Sequence, residues 1–289
     1  MLILIAWILI YICQINRRKK NTAFVDSTLY VILFGYFVTE LYSRVHLLKR
    51  NVIIFAWGCL CILSLFFILT CKKKTADYYE IRNIFKDKEY LKTRVVLGII
   101  GVGILFLSAK SITANWDSMS YHMPRIMHWI QNATTAFYAT SELRQITSPP
   151  LAEYLVMQVM MLTGNDKFVC VVQGMSYLLS ARLVYIISCK MKMSKKYAYL
   201  AVFLFMMMPP AIAEAVTTQN DLFAALILLI FFYYYLDFIY CDNLTLSREN
   251  LFLSAKTGVT IALGYLAKSY VLIPMGILII YLGGKTILR

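Results

Sequence analysis

The feature that most constrains this chain is a recurrence of apolar runs about 20 residues long, of which Asn51 to Cys71 is the clearest, separated by clusters of lysine and arginine. A helix of that length crosses the hydrocarbon core of a bilayer. In lipid the backbone polar groups must be satisfied within the protein, so such runs read as membrane helices. Composition agrees, with 60% hydrophobic and 15% charged residues, against about 25% charged in a soluble domain. The sequence predicts an all-α, polytopic integral membrane protein with about nine transmembrane helices.

The expected spans are 1–16, 23–43, 51–71, 95–111, 168–189, 197–213, 222–241, 251–267 and 271–283. Between them lie the basic clusters Arg17 to Lys20, Lys72 to Arg94 (eight basic and four acidic residues) and Lys190 to Lys196. Positive charge beside spans marks the cytoplasmic side. Placing these clusters inside gives a consistent parity, with the amino terminus and the loop at 111–153 on the extracytoplasmic face of a cell membrane. The net charge of +14 is accounted for in this way and does not imply nucleic acid. Residues 1–16 read as a span and not as a cleaved leader, because the charged cluster follows the apolar run instead of preceding it. The seven cysteines lie in or beside apolar runs without metal-ligand spacing, as small packing residues do.

The loop at 111–153 is the longest stretch that is neither apolar nor a basic tail. If 116–130 is helical, Asp117, Tyr121, Arg125 and His128 fall within about 80° of one another. Met119, Met123, Ile126, Met127 and Ile130 gather on the other side, the pattern of a helix lying in the membrane interface. Pro124 is expected to kink or restart it. Asp117 reads either as a general base or as a helix cap beside Asn115. Arg125 reads as a phosphate clamp or as a partner for Asp117. His122 and His128 would stand about 120° apart, which argues against a shared metal. Asn132 to Thr134 matches a glycosylation acceptor. Pro149-Pro150 closes the loop ahead of a short helix from Leu151 to Leu162, where Glu153 suits the first turn. Asp221 reads as a cap or as a second carboxylate facing Asp117 across a cavity. Lys268 reads as a snorkelling lysine or as a contact for a lipid-linked phosphate.

Four motifs in order carry a family resemblance. They are Trp116-Asp-Ser-Met-Ser-Tyr-His122, Pro149-Pro-Leu151, Thr218-Gln-Asn-Asp221 and Gly264-Tyr-Leu-Ala-Lys268. Together they resemble the GT-C superfamily of polyprenyl-phosphate-dependent glycosyltransferases, in its bacterial branch of protein O-mannosyltransferase-like and lipid A aminoarabinose transferase-like proteins. The resemblance covers about 94–283, so residues 1–93 are expected to add three spans and a basic segment ahead of a 94–289 core. It implies Asp117 as catalytic base. Tyr121, His122, Arg125, Asp221 and Lys268 would bind substrate. The donor would be a polyprenyl-phosphate-linked sugar, the acceptor a glycan, lipid or protein, and the surroundings the lipids of the bacterial plasma membrane. These residues define no certain cofactor. Some relatives place a divalent metal near the site, but its ligands have no match here, which leaves a metal open. Relatives also continue beyond the equivalent of Arg289, so a truncated, inactive member is one alternative. The other is a transporter or flippase of lipid-linked sugars. That reading calls for ionisable residues within spans, whereas most spans here are clean, with Arg182 and Lys256 as partial exceptions, and the polar groups gather at the outer surface.

Overall fold

A computed structural model describes residues 1–15, 20–70, 89–240 and 247–287. These residues form helices and connecting turns, with no strand among them. In chain order the helices are α1 (Leu2–Ile15), α2 (Lys20–Arg44), α3 (Arg50–Thr70), α4 (Leu91–Lys110), α5 (Met123–Asn132) and α6 (Arg144–Thr147). There follow α7 (Leu151–Thr163), α8 (Val171–Lys190), α9 (Lys195–Met206), α10 (Pro209–Glu214), α11 (Asp221–Ile239), α12 (Arg248–Ala267) and α13 (Leu272–Ile287).

Five helices are long and apolar enough to cross a membrane: Asn21–Arg44, Arg50–Thr70, Leu91–Lys110, Val171–Lys190 and Asp221–Ile239. The four other expected spans are helical but do not reach that standard. At 14 residues α1 is short. The expected span at 197–213 is not one helix: α9 stops at Met206 after 12 residues and α10 begins at Pro209. Proline excludes the preceding residue from helical geometry, and Met208 is extended, with ψ of 115°. The 20-residue α12 carries Arg248, Glu249 and Lys256, which lower its hydropathy. The last apolar helix is short as well.

Loops expected on one side do gather at one end of the bundle. Leu48 N–H donates to the Ala133 carbonyl at 3.2 Å, joining the α2–α3 turn to the 111–150 loop. Thr218 Oγ1 reaches Ser118 Oγ at 2.6 Å, and Asn220 Nδ2 reaches the Ala267 carbonyl at 3.3 Å. At the opposite end Thr22 and Tyr233 are bonded at 2.9 Å, and Lys190 pairs with Asp237 at 2.8 Å.

The first three helices contribute to the buried clusters. Phe24, Val25 and Leu29 of α2 pack into one cluster with Leu151, Leu183, Phe223 and Tyr234. The short helix α7 sits within this packing. Its Gln158 donates to the Gly35 carbonyl (2.8 Å) and to Thr39 Oγ1 (2.6 Å), and accepts from Trp57 Nε1 (3.0 Å). Gly35 is what lets α2 and α7 approach, since a Cβ there would stand 2.6 Å from Leu155 Cδ2. A fully bonded buried amide of this kind fixes α7 against α2 and α3, because each broken bond would leave a polar group unsatisfied.

Candidate active site

Local chemistry explains the turn that carries Asp117. Pro124 has no N–H, so a regular helix would leave the Ser120 carbonyl without its partner. Instead the helix widens over Ser118–His122, where Met123 N–H reaches back five residues to the Ser118 carbonyl. The Ser120 carbonyl is then taken by Gln145 Nε2 at 2.9 Å. Gln145 is itself held by Tyr138 Oη and Thr140 Oγ1, each at 3.0 Å. A widened turn of this kind adds one residue, about 100° of rotation, to everything that follows.

That rotation corrects the expected polar face. Arg125 does not stand beside Asp117; it is 4% exposed and turned toward α7. There Glu153 Oε1 receives His122 Nδ1 at 2.8 Å and lies 3.5 Å from Arg125 Nη1. Trp129 packs its ring 4.6 Å from the Arg125 guanidinium carbon. Burial lowers the Arg125 pKa, with the Glu153 charge acting against that shift. Arg125 and His122 are thus buried companions of Glu153 and not an open phosphate clamp. His128 stacks on Tyr138, with ring centroids 3.5 Å apart.

The partner of Asp117 is Arg144, which the sequence reading left without a role. Arg144 Nη1 stands 3.1 Å from Asp117 Oδ1, its Nε 2.9 Å from Glu142 Oε1 and its Nη2 3.1 Å from Glu142 Oε2. Its guanidinium carbon lies 4.7 Å from the centre of the Tyr121 ring, which in turn leans on His122. The hydrogen bond from Arg144 holds the Glu142 carboxyl below its ordinary range. Tyr121 is pushed up to about 12, first by burial and then by the Asp117 and Glu153 charges, so its hydroxyl stays protonated at neutral pH.

Asp221 and Lys268 are brought together at 2.6 Å, and Tyr270 Oη joins the same Asp221 oxygen at 2.8 Å. The two carboxylates are comparably open, Asp117 at 37% side-chain exposure and Asp221 at 39%. Burial lowers the Lys268 pKa, but the hydrogen bond and charge of Asp221 outweigh it and leave the ammonium above its usual value. The Asp117 and Asp221 groups are joined through residues 214–219. Thr218 bonds Ser118, and the Gln219 amide satisfies its neighbours when its nitrogen faces Glu214 (2.5 Å) and its oxygen accepts from Asn115 Nδ2 (2.9 Å). Burial and then the Asp221 charge raise the Glu214 carboxyl.

Asp117, Tyr121, Asp221 and Lys268 lie at one end of the bundle, together with Arg144, Glu214 and Tyr270. The arrangement sets half-exposed carboxylates against cations, Asp117 with Arg144 and Asp221 with Lys268. Among the described residues no group of three or more His, Cys, Asp or Glu side chains is arranged to hold a metal ion. Comparison with family models, curated proteins and solved structures returns no match.

Proposed function

We propose that this chain is a membrane glycosyltransferase of the GT-C type, moving a sugar from a polyprenyl phosphate to an acceptor hydroxyl on the extracytoplasmic face. The observation that carries the reading is the meeting of Asp117, Asp221 and Lys268, from three separate elements, at the end of the bundle opposite the Lys190 cluster. The nine spans of the sequence reading belong to this proposal, with α1, α9–α10, α12 and α13 completing the bilayer crossing.

In the proposed reaction the acceptor oxygen forms a bond to the anomeric carbon. The bond from that carbon to the phosphate oxygen breaks, and its electron pair leaves with the polyprenyl phosphate. The acceptor proton passes to Asp117. One displacement inverts the anomeric centre. Arg144 takes over the phosphate role first expected of Arg125: it is half-open and carries its charge beside the base. Lys268 stabilises the leaving phosphate in the same way. Asp221 holds Lys268 in place, and the neutral Tyr121 hydroxyl donates to the sugar or the phosphate.

The test is sugar transfer from a synthetic polyprenyl-phosphate donor in membranes containing the full chain. Unaltered turnover by Asp117→Asn would sink the base assignment. A carrier function for lipid-linked sugars has one observation in its favour, a buried Asp26–Lys256 pair inside the helices at 2.9 Å, since ionisable groups within spans mark transport paths. Donor translocation without transfer in reconstituted vesicles would select that reading.

A further inference from the structure

A second polar feature lies at the same end, away from the paired carboxylates. Where α4 ends and the approach to α8 begins, a cavity of about 230 Å³ is lined by Ala109, Lys110, Ser111, Ile112, Thr113, Asp166, Lys167 and Phe168. Two observations fix its chemistry. Both α4 and α8 are candidate spans, so their ends, Lys110 and Val171, mark the level at which the chain leaves the bilayer. That is the level of lipid phosphates. Among the described residues neither Lys110 nor Lys167 enters an ion pair, and both are exposed, beside the hydroxyl residues Ser111 and Thr113.

The volume decides what fits. Sites for whole small-molecule ligands measure about 300–1,000 Å³, so this one suits a headgroup whose remainder lies outside. Ile112 and Phe168, 85% and 43% exposed, give the mouth apolar surface of the kind an acyl chain covers. The charge is informative too. Two lysines and one aspartate leave a net +1, which matches the single charge of a phosphodiester better than the near-double charge of a phosphate monoester. Basic pockets between membrane helices hold lipid headgroups through their positive charge.

We propose that this cavity binds the phosphodiester of a membrane phospholipid, with Lys110 and Lys167 as the phosphate ligands and Thr113 as a hydroxyl donor, the Ser111 hydroxyl being spent on the Leu107 carbonyl at 2.8 Å. The site is independent of the transfer reading and stands whether or not the chain transfers sugar. It anchors α4, and with it the segment leading to Asp117, to the lipid layer at that end of the bundle.

The experiment is native mass spectrometry of the full chain in detergent, titrated with dioleoyl phosphatidylglycerol, dioleoylglycerol, a polyprenyl phosphate and inorganic phosphate. One phosphatidylglycerol per chain is expected to be held, and to be held about 30-fold more weakly by the Lys110→Gln/Lys167→Gln variant. The Lys110→Arg/Lys167→Arg variant keeps the charge and is expected to retain the lipid. Thermal unfolding in detergent checks that both variants remain folded, which is expected because the two lysines are exposed and no packing is lost. Equal retention by the glutamine variant, or loss in the arginine variant, overturns the proposal. So does binding of dioleoylglycerol with the same affinity. Displacement by inorganic phosphate at millimolar concentration would assign the cavity to a free anion, and tighter retention of the polyprenyl phosphate would assign it to a monoester; either overturns the phospholipid as occupant.

Discussion

The two ends of α11 carry similar chemistry put to different uses. At its start Asp221 meets Lys268 at 2.6 Å, with the carboxylate 39% and the lysine 25% exposed. Near its other end Tyr234 donates to Asp26 at 2.7 Å, and Lys256 reaches the same Asp26 oxygen at 2.9 Å, with the carboxylate fully buried. About 20 Å of helix separates the two, at 1.5 Å per residue. A buried pair cannot trade its partner for water or ligand without a desolvation cost, so Asp26–Lys256 serves to tie α2, α11 and α12 together. A half-exposed pair is weak and exchangeable. Asp221–Lys268 and Asp117–Arg144 are therefore the pairs that water or a charged ligand can open.

The comparison can be broken from either end. The largest effect is expected at Asp117: replacing it by asparagine should lower transfer by about 10²- to 10⁴-fold, the usual contribution of a general base, while the thermal midpoint in detergent stays put. A large drop in that midpoint would make Asp117 structural. Next comes Lys256→Met, which strands a buried carboxylate and should cost about 3–5 kcal/mol of stability by denaturant titration. The Asp26→Asn/Lys256→Met pair should recover part of that loss, and no recovery would show that the ion pair is not what ties the helices. Lys268→Met should change stability by less than about 1 kcal/mol yet weaken donor binding, read as a higher KM; equal damage to stability would erase the contrast between the two ends.

The smallest effect concerns Glu214. Its carboxyl is raised by burial and by Asp221, so the folded chain holds that proton to higher pH than the unfolded chain does. Between the ordinary glutamate value and the raised one, stability falls as pH rises. Glu214→Gln removes this dependence. It should be slightly more stable than the parent at neutral pH, by less than about 1 kcal/mol, and no different below pH of about 4. An unchanged pH profile would remove Glu214 from the electrostatics of the site.

Much of this was legible from residue order alone. The apolar runs at Asn51 and Val95 announce spans because the bilayer demands length and little else. The carboxylates Asp117 and Asp221 stand out because a charge at the edge of an apolar run needs a reason. What stayed hidden depended on geometry that periodicity assumes away. Arg125 falls beside Asp117 only on a helix of constant pitch, and the widened turn over Ser118–His122 rotates it onto Glu153. Arg144 gave no signal, because its partner lies 27 residues earlier and its approach depends on a fold-back of the loop. Helix α7 read as a short element at the membrane. Its burial rests on Gly35, Thr39 and Trp57, all about a hundred residues away. The helix break after Met206 had a signal in the two prolines that follow it, but the apolar run continues through them, and the span was expected to run unbroken to 213.

The bond from Gln145 to the Ser120 carbonyl has a dynamic consequence. Opening of the loop around α6 removes the side-chain donor to that half-buried carbonyl, at a cost of about 1 kcal/mol, the net worth of one hydrogen bond. Loop and turn should therefore open as one cooperative unit, with their amide hydrogens exchanging at a shared rate. A substrate that latches onto Arg144 would slow exchange at Met119 and Tyr121 without touching either, so the loop would report binding at the turn, and the turn would report the state of the loop.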